Sequence, residues 1–179
     1  MELPMSERSC GDCDVCCNIL EVKELNKKGY KNCENKLESN GCKIYETRPN
    51  SCKEWSCCYI LGLIPDDVEL RPNKLGLMFY PVSAKNNDLN MSMYMAQEVW
   101  PNARESKEAQ ELINLFKIKM LTMIRHYNSN KFTYVGPPDQ VKDFETRHAL
   151  YMKKEDWFEN YECFISKNIE HSKICRINS

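Results

Sequence analysis

The chain has 179 residues and nearly balanced charge, with 25 Lys and Arg against 26 Asp and Glu. This length suits one domain, or a small lobe with a second layer packed on it. The balance excludes the strongly basic surface that holds nucleic acid through its phosphates. No apolar run approaches the roughly 18 residues of a membrane span, and no stretch of signal-peptide length precedes the first cysteine. We therefore predict a cytoplasmic protein that binds neither nucleic acid nor membrane.

Cysteine is the most informative residue type, because 9 of the 11 cysteines lie between residues 10 and 58. They are Cys10, Cys13, Cys16, Cys17, Cys33, Cys42, Cys52, Cys57 and Cys58. A disulfide framework or a metal centre would explain such a density. The odd number of cysteines disfavours a disulfide framework. The doublets Cys16–Cys17 and Cys57–Cys58 also disfavour it, because adjacent Cα atoms lie about 3.8 Å apart and ordinary disulfides need about 4.4–6.8 Å. We therefore favour a metal centre.

The spacing of the cysteines indicates how they would serve as ligands. Thiolates select zinc, iron–sulfur clusters or cuprous copper. Cys10, Cys13 and Cys16 form two overlapping C-x2-C turns, which commonly deliver three ligands of one iron–sulfur cluster, and Gly11 tolerates the positive φ of a tight turn. Cys52 and Cys57 form a C-x4-C pair within the range of zinc turns. Cys17 cannot easily point the same way as Cys16, so it is expected to reach a second centre or another iron of a larger one.

Eight thiolates divide into two sites of four cysteines, or into one cluster and one structural ion. Cys33 and Cys42 would be single ligands on loops. Cys58 is left over, and we expect it to be packed in the protein and not to bind metal. The three histidines show no spacing typical of metal ligands and are interpreted as structural. Arg48 is expected to hydrogen-bond carbonyls or to offset thiolate charge.

The first 60 residues contain many turn residues and few apolar ones. Such a segment cannot bury much of a core, and metal ligation holds small domains of this kind together. We therefore predict a cysteine-rich metal-binding lobe over 1–60. Residues 61–179 are predicted to be an α+β remainder packed against it, with the two parts forming one structural unit.

The remainder shows recognisable elements in chain order. Strands are predicted over 74–82 and 89–100, with a turn over 84–88. The i, i+3, i+4 rhythm predicts one long helix over 103–127, with Ser106 as its N-cap. A short strand over 131–135 and a second helix over 140–152, capped by Asp139, follow, and the tail around 157–165 is predicted to be a short helix. The predicted fold is α+β, in which a loop-rich cysteine lobe packs on a small antiparallel sheet covered by one long helix.

The cysteine run also carries a family resemblance. The pattern Cys10-x2-Cys13-x2-Cys16-Cys17 is followed by Gly41-Cys42-Lys-Ile-Tyr-Glu-Thr-Arg-Pro49-x2-Cys52-x2-Trp55-x-Cys57. This resembles the CxxCxxCC, or YkgJ, cysteine-cluster family of zinc- or iron-chelating bacterial domains. A weaker similarity continues through Arg71-Pro-x-Lys-Leu-Gly76 and Glu98-Val-Trp-Pro101.

The resemblance implies metal chelation by eight cysteines, namely Cys10, Cys13, Cys16, Cys17, Cys33, Cys42, Cys52 and Cys57. This chain has Tyr59 where the family often places Trp, and the additional Cys58 leaves open whether Cys57 or Cys58 is the last ligand. A similar cluster occurs in flagellin lysine methylases.

Two functions from different classes follow. The first is a metal-binding protein that folds around zinc or iron and presents a surface to a protein partner. The alternative is an iron–sulfur redox or accessory enzyme, for example one associated with protein methylation. A catalytic zinc keeps an open position and usually mixes in histidine or carboxylate, so an all-cysteine set favours a structural or electron-transfer centre. No catalytic residue is predicted.

Overall fold

The computed structural model describes residues 8–39, 41–86 and 89–151, without the side chains of 83–91 and 145–151. The predicted tail helix, Cys163, Cys175 and His171 lie outside these residues. Within the described ranges, no helix has both the length and the apolar character needed to cross a membrane.

The cysteine lobe consists mainly of turns, as its sequence predicts. Its helices are short: α1 covers Val15–Ile19, a 3₁₀ helix covers Lys23–Leu25, and α2 covers Asn50–Glu54. A second 3₁₀ helix over Val68–Leu70 and helix α3 over Pro72–Leu75 lead into the sheet.

The sheet has four strands in the order β1-β2-β3-β4. These are β1 over Leu77–Asn86, β2 over Leu89–Glu98, β3 over Thr122–Arg125 and β4 over Phe132–Val135. The helices of this part are a 3₁₀ helix over Ala103–Glu105, α4 over Lys107–Lys117 and α5 over Pro138–Tyr151. The predicted α+β class and the β1–β2 hairpin are confirmed.

The predicted antiparallel sheet is wrong in one pairing, because β2 and β3 run parallel. Parallel neighbours need a crossover connection, and α4 lies in that crossover. The predicted long helix is therefore also wrong: it ends at Lys117, and part of its expected range forms β3. The apolar residues near the end of that range suit a strand as well as a helix. Ser106 does cap the helix, since its side chain accepts a hydrogen bond of 3.2 Å from the Ala109 N–H.

The two faces of the sheet bury different clusters. On one face, Phe79 stacks on Phe116 of α4 with a centroid distance of 4.7 Å, and Tyr94 contacts the same ring edge-on. On the other face, Met93 and Met95 pack in a cluster with Phe144 of α5. Met93 and Met95 thus lie on the face of the sheet that packs against α5.

The cysteine lobe shares the core of the sheet. Val15 and Ile19 of α1 belong to the same buried cluster as Phe79 and Phe116. Cys58 is completely buried in this cluster, and its N–H donates to the Phe79 carbonyl at 2.7 Å. The packing of Cys58 therefore agrees with the sequence prediction, and it fixes the lobe directly on β1.

Candidate metal centre

The Cys10–Cys13 segment forms the tight turn that its spacing predicts. The Cys13 N–H donates to the Cys10 carbonyl at 2.9 Å, and Gly11 has a φ of +57°. A Cβ at Gly11 would lie 2.5 Å from Nη1 of Arg71. Glycine thus allows both the left-handed turn and the close approach of this guanidinium group.

Helix α1 carries the doublet Cys16–Cys17. Successive residues on an α-helix are rotated by about 100°, and the flanking residues Val15 and Ile19 are both buried in the core. The charges of Cys10 and Cys13 contribute to raising the pKa of Cys16. The charge of Cys17 raises the pKa of Cys52 and also that of Cys10, so the predicted divergence of the doublet stays a prediction.

Cys57 joins the N-terminal turn from a distant part of the chain. Burial raises its pKa to about 11, and the nearby charges of Cys10 and Cys13 act in the same direction. Opposing them, the backbone N–H groups of Tyr59 and Ile60 stabilise the thiolate of Cys57. We call Cys10, Cys13, Cys16 and Cys57 the first cysteine group.

Cys13 has the same kind of surroundings as Cys57. Burial raises its pKa, whereas the backbone N–H groups of Val15 and Asn73 stabilise its thiolate. Hydrogen bonds to the charged form of a group favour that form. Cys57 is buried and Cys13 is half-buried, and backbone N–H groups favour the thiolate of each.

The remaining cysteines are connected to Cys17 by backbone contacts and by charge. Burial raises the pKa of Cys52, and the charges of Cys17 and Cys33 add to this effect. The Cys33 N–H donates to the Cys17 carbonyl at 3.0 Å. Lys36 donates its N–H to the Cys33 carbonyl and forms a β-bridge with Cys42. We call Cys17, Cys33, Cys42 and Cys52 the second cysteine group.

This arrangement differs from the predicted C-x4-C pair. Among the cysteines, Cys10 and Cys13 have the largest effect on the pKa of Cys57. Cys17 and Cys33 have the largest effect on the pKa of Cys52. Helix α2 ends between the two residues, at Glu54, and the chain then becomes extended at Trp55. The four residues between Cys52 and Cys57 thus connect different groups.

The two cysteine groups meet at the doublet. Cys16 donates an S–H hydrogen bond to Cys17, which lowers the pKa of Cys17 to about 7 and raises that of Cys16. Cys10 is exposed at the surface, yet burial of its sulfur and the charge of Cys17 raise its pKa. The two groups are therefore adjacent, and cysteines of one group change the pKa of cysteines in the other.

Each group has cations beside it, and most of them could not be predicted from the sequence. Arg48 and Arg71 favour the thiolate of Cys10, and Lys27 and Lys36 favour that of Cys17. Only Arg48 was expected to offset thiolate charge. The lysines occur in a stretch with many ordinary surface lysines, so no spacing distinguishes them.

All nine cysteines between residues 10 and 58 are free thiols. Among the described residues, no set of three or more His, Cys, Asp or Glu side chains is arranged to hold a metal ion. The two groups are thus defined by electrostatic and backbone contacts, and their sulfurs do not form closed coordination sites. The donor set itself, rich in thiols with backbone N–H partners, fits a thiolate-preferring metal.

His126 has a hydrogen-bonding partner on the neighbouring strand. One of its ring nitrogens, Nε2, lies 2.8 Å from Oγ1 of Thr133. Burial, followed by the charge of Arg104, lowers the pKa of His126.

No family model, no curated protein and no solved structure matches the chain. The resemblance to the CxxCxxCC family therefore stays a prediction. Two segments of its weaker part do lie together, because the Val99 N–H donates to the Gly76 carbonyl at 2.8 Å. A Cβ at Gly76 would lie only 2.4 Å from the Trp100 ring, so these segments pack in direct contact.

Proposed function

We propose that this is a metal-binding protein whose eight cysteines in the first and second groups hold zinc or iron. One observation carries the proposal: backbone N–H groups favour the thiolates of half-buried Cys13 and buried Cys57. A buried thiol without a charged role gains little from such donors, whereas a metal-bound thiolate is stabilised by them.

The division of the cysteines supports two separate sites of four thiolates. Each group combines residues that are distant in the sequence, as structural zinc sites do. Arg48 and Arg71 beside the first group, and Lys27 and Lys36 beside the second, offset part of the negative charge that four thiolates would bring.

The biological role in this proposal is structural, with the lobe presented to a protein partner. Tyr45 supports a surface role, since it is 58% exposed although it is a large aromatic residue. Its ring lies 3.8 Å from the guanidinium carbon of Arg48, which orders it. Because the thiols must stay reduced to bind metal, the proposal places the protein in the cytoplasm.

An iron–sulfur redox or accessory enzyme is the second candidate. It is favoured by the C-x2-C-x2-C spacing within the first group together with the surface position of Cys10. An exposed ligand would allow electrons or a substrate to reach a cluster. The adjacency of the two groups at Cys16 and Cys17 also suits a centre with more than one iron.

Elemental analysis of protein purified without oxygen tests the metal proposal. We expect about two zinc ions per chain in a colourless preparation if both groups are tetrahedral zinc sites. A brown preparation that contains iron and sulfide would favour the second candidate. Protein that contains no metal, with its cysteines paired as disulfides on peptide mapping, would contradict both. A Cys58→Ala variant is the control and should keep the wild-type metal content.

A further inference from the structure

Arg71 lies at the start of α3 and contacts both chain segments that supply the first cysteine group. Its Nη1 donates a hydrogen bond of 3.2 Å to Oδ1 of Asp12, which stands inside the Cys10–Cys13 turn. Its Nε donates to the hydroxyl of Tyr59 at 3.4 Å, and Tyr59 follows Cys57 by two residues. One guanidinium group therefore joins two segments that are distant in the sequence.

The guanidinium group fits closely between these two segments. Its carbon lies 5.5 Å from the centroid of the Tyr59 ring, and the hydroxyl of that ring is itself held, because it donates to Oδ1 of Asp66 at 3.2 Å. On the other side, a Cβ at Gly11 would lie 2.5 Å from Nη1 and 3.1 Å from the guanidinium carbon. Arg71 thus packs against the backbone of the cysteine turn in addition to pairing with its carboxylate.

The backbone of Arg71 is held by α3, which leads directly into the sheet. Its carbonyl accepts hydrogen bonds from the N–H groups of Lys74 and Leu75 at 2.9 and 2.8 Å. Leu75 is buried in the same core cluster as Phe79, and β1 begins at Leu77. The arginine is therefore anchored outside the cysteine lobe, and its side chain ties the first cysteine group to the sheet.

Stability alone does not explain this arrangement. The side chain of Asp12 is 47% exposed, and exposed ion pairs contribute little to the free energy of unfolding. Groups that orient metal ligands have a larger effect, because removing them weakens metal binding even though they do not touch the ion. Arginine also suits such a role better than lysine, since its planar fork presents donors in fixed directions.

We propose that Arg71 is a positioning residue for the first cysteine group, whose guanidinium holds the Cys10–Cys13 turn beside the segment of Cys57 so that both can bind one metal ion. This role rests on the proposed function. It depends on the geometry of the two contacts and not on positive charge as such. Lys74 provides the comparison, because it contacts the same carboxylate of Asp12 at 3.8 Å with a side chain that is 44% exposed.

The test uses the full chain loaded with Zn²⁺ without oxygen, as wild type and as the variants R71Q, R71K, D12N and R71Q/D12N. K74M is the matched control, because it removes a cation from the same carboxylate. Each protein is treated with a chelator and then with iodoacetamide, and the alkylation rate of each cysteine is read by peptide mass spectrometry. Circular dichroism identifies any variant that fails to fold, and D12N then carries the comparison in place of R71Q.

We expect R71Q and D12N to lose protection about tenfold faster at the first group, the lower end of the range for groups that orient metal ligands, with the second group unchanged. R71Q/D12N should be no faster than R71Q, because both substitutions remove the same interaction. R71K should resemble R71Q, and K74M should resemble wild type.

Wild-type protection in R71Q and D12N would overturn the role of Arg71. Equal losses at both cysteine groups, full rescue by R71K, or a loss in K74M as large as that in R71Q would overturn it too. Wild-type protein that takes up no Zn²⁺ would instead refute the proposed function, and the role of Arg71 with it.

Discussion

Replacing Cys13 with serine is expected to remove one metal ion and most of the stability of the cysteine lobe. Structural zinc contributes apparent binding free energies of about 10–16 kcal/mol in small domains, and the lobe has few apolar side chains to replace that contribution. Cys13 is central to the first group, since it lies in the Gly11 turn and receives backbone N–H donors. Cys33→Ser should remove the other ion by the same reasoning.

The measurements for this prediction are metal content per chain and amide hydrogen exchange, each for Cys13→Ser, Cys33→Ser and Cys58→Ala. Fast exchange should appear in the lobe for the two serine variants, while the β1–β2 hairpin stays protected. Cys58→Ala should keep its metal, although removal of a buried sulfur reduces core packing. A Cys13→Ser protein with unchanged melting and metal content would count against Cys13 as a ligand.

Replacing Glu98 with alanine is expected to lower the free energy of unfolding by about 3–5 kcal/mol, the usual cost of removing one partner of a buried ion pair. Glu98 is 1% exposed at the end of β2. Its carboxylate accepts from Nη1 of Arg104 at 2.9 Å, from the Arg104 N–H at 3.1 Å and from the Tyr127 N–H at 2.8 Å. The substitution leaves three donors without their acceptor.

Glu98 also connects the sheet to the cysteine lobe, because its backbone carbonyl accepts from the Tyr30 hydroxyl at 3.0 Å. Urea unfolding of the metal-loaded protein, followed by tryptophan fluorescence, measures the loss. Glu105→Ala is the matched control, since Glu105 pairs with the same arginine but its side chain is 62% exposed. Exposed ion pairs contribute about 0–1 kcal/mol to the free energy of unfolding. Similar losses in the two variants would therefore show that burial of Glu98 does not strengthen its contribution to stability.

The sequence predicted those features that depend on neighbouring residues. The Gly11 turn, the Ser106 cap and the β1–β2 hairpin all follow from local spacing and residue type. The helix after Ser106 was predicted too long, because the apolar residues from Leu121 to Ile124 fit either a helix or a strand. Their pairing with β2 depends on tertiary contacts, and these override the local pattern.

The candidate site likewise has features that depend on neighbouring residues and features that depend on tertiary contacts. Its cysteines were identified from their spacing alone. The grouping of Cys57 with Cys10 and of Cys52 with Cys33 depends on how distant loops fold together. Lys27 could not be recognised, because nothing in its sequence context distinguishes a buried lysine from the exposed Lys28 beside it.

X-ray absorption spectroscopy at the metal edge, on full-length protein purified without oxygen, tests the metal centre most directly. We expect a first coordination shell made only of sulfur, with about four sulfurs per zinc at about 2.3 Å. For iron we expect a sulfur shell with additional iron neighbours. A shell of nitrogen or oxygen, or the absence of any bound metal, would contradict the conclusion that the two cysteine groups exist to hold ions.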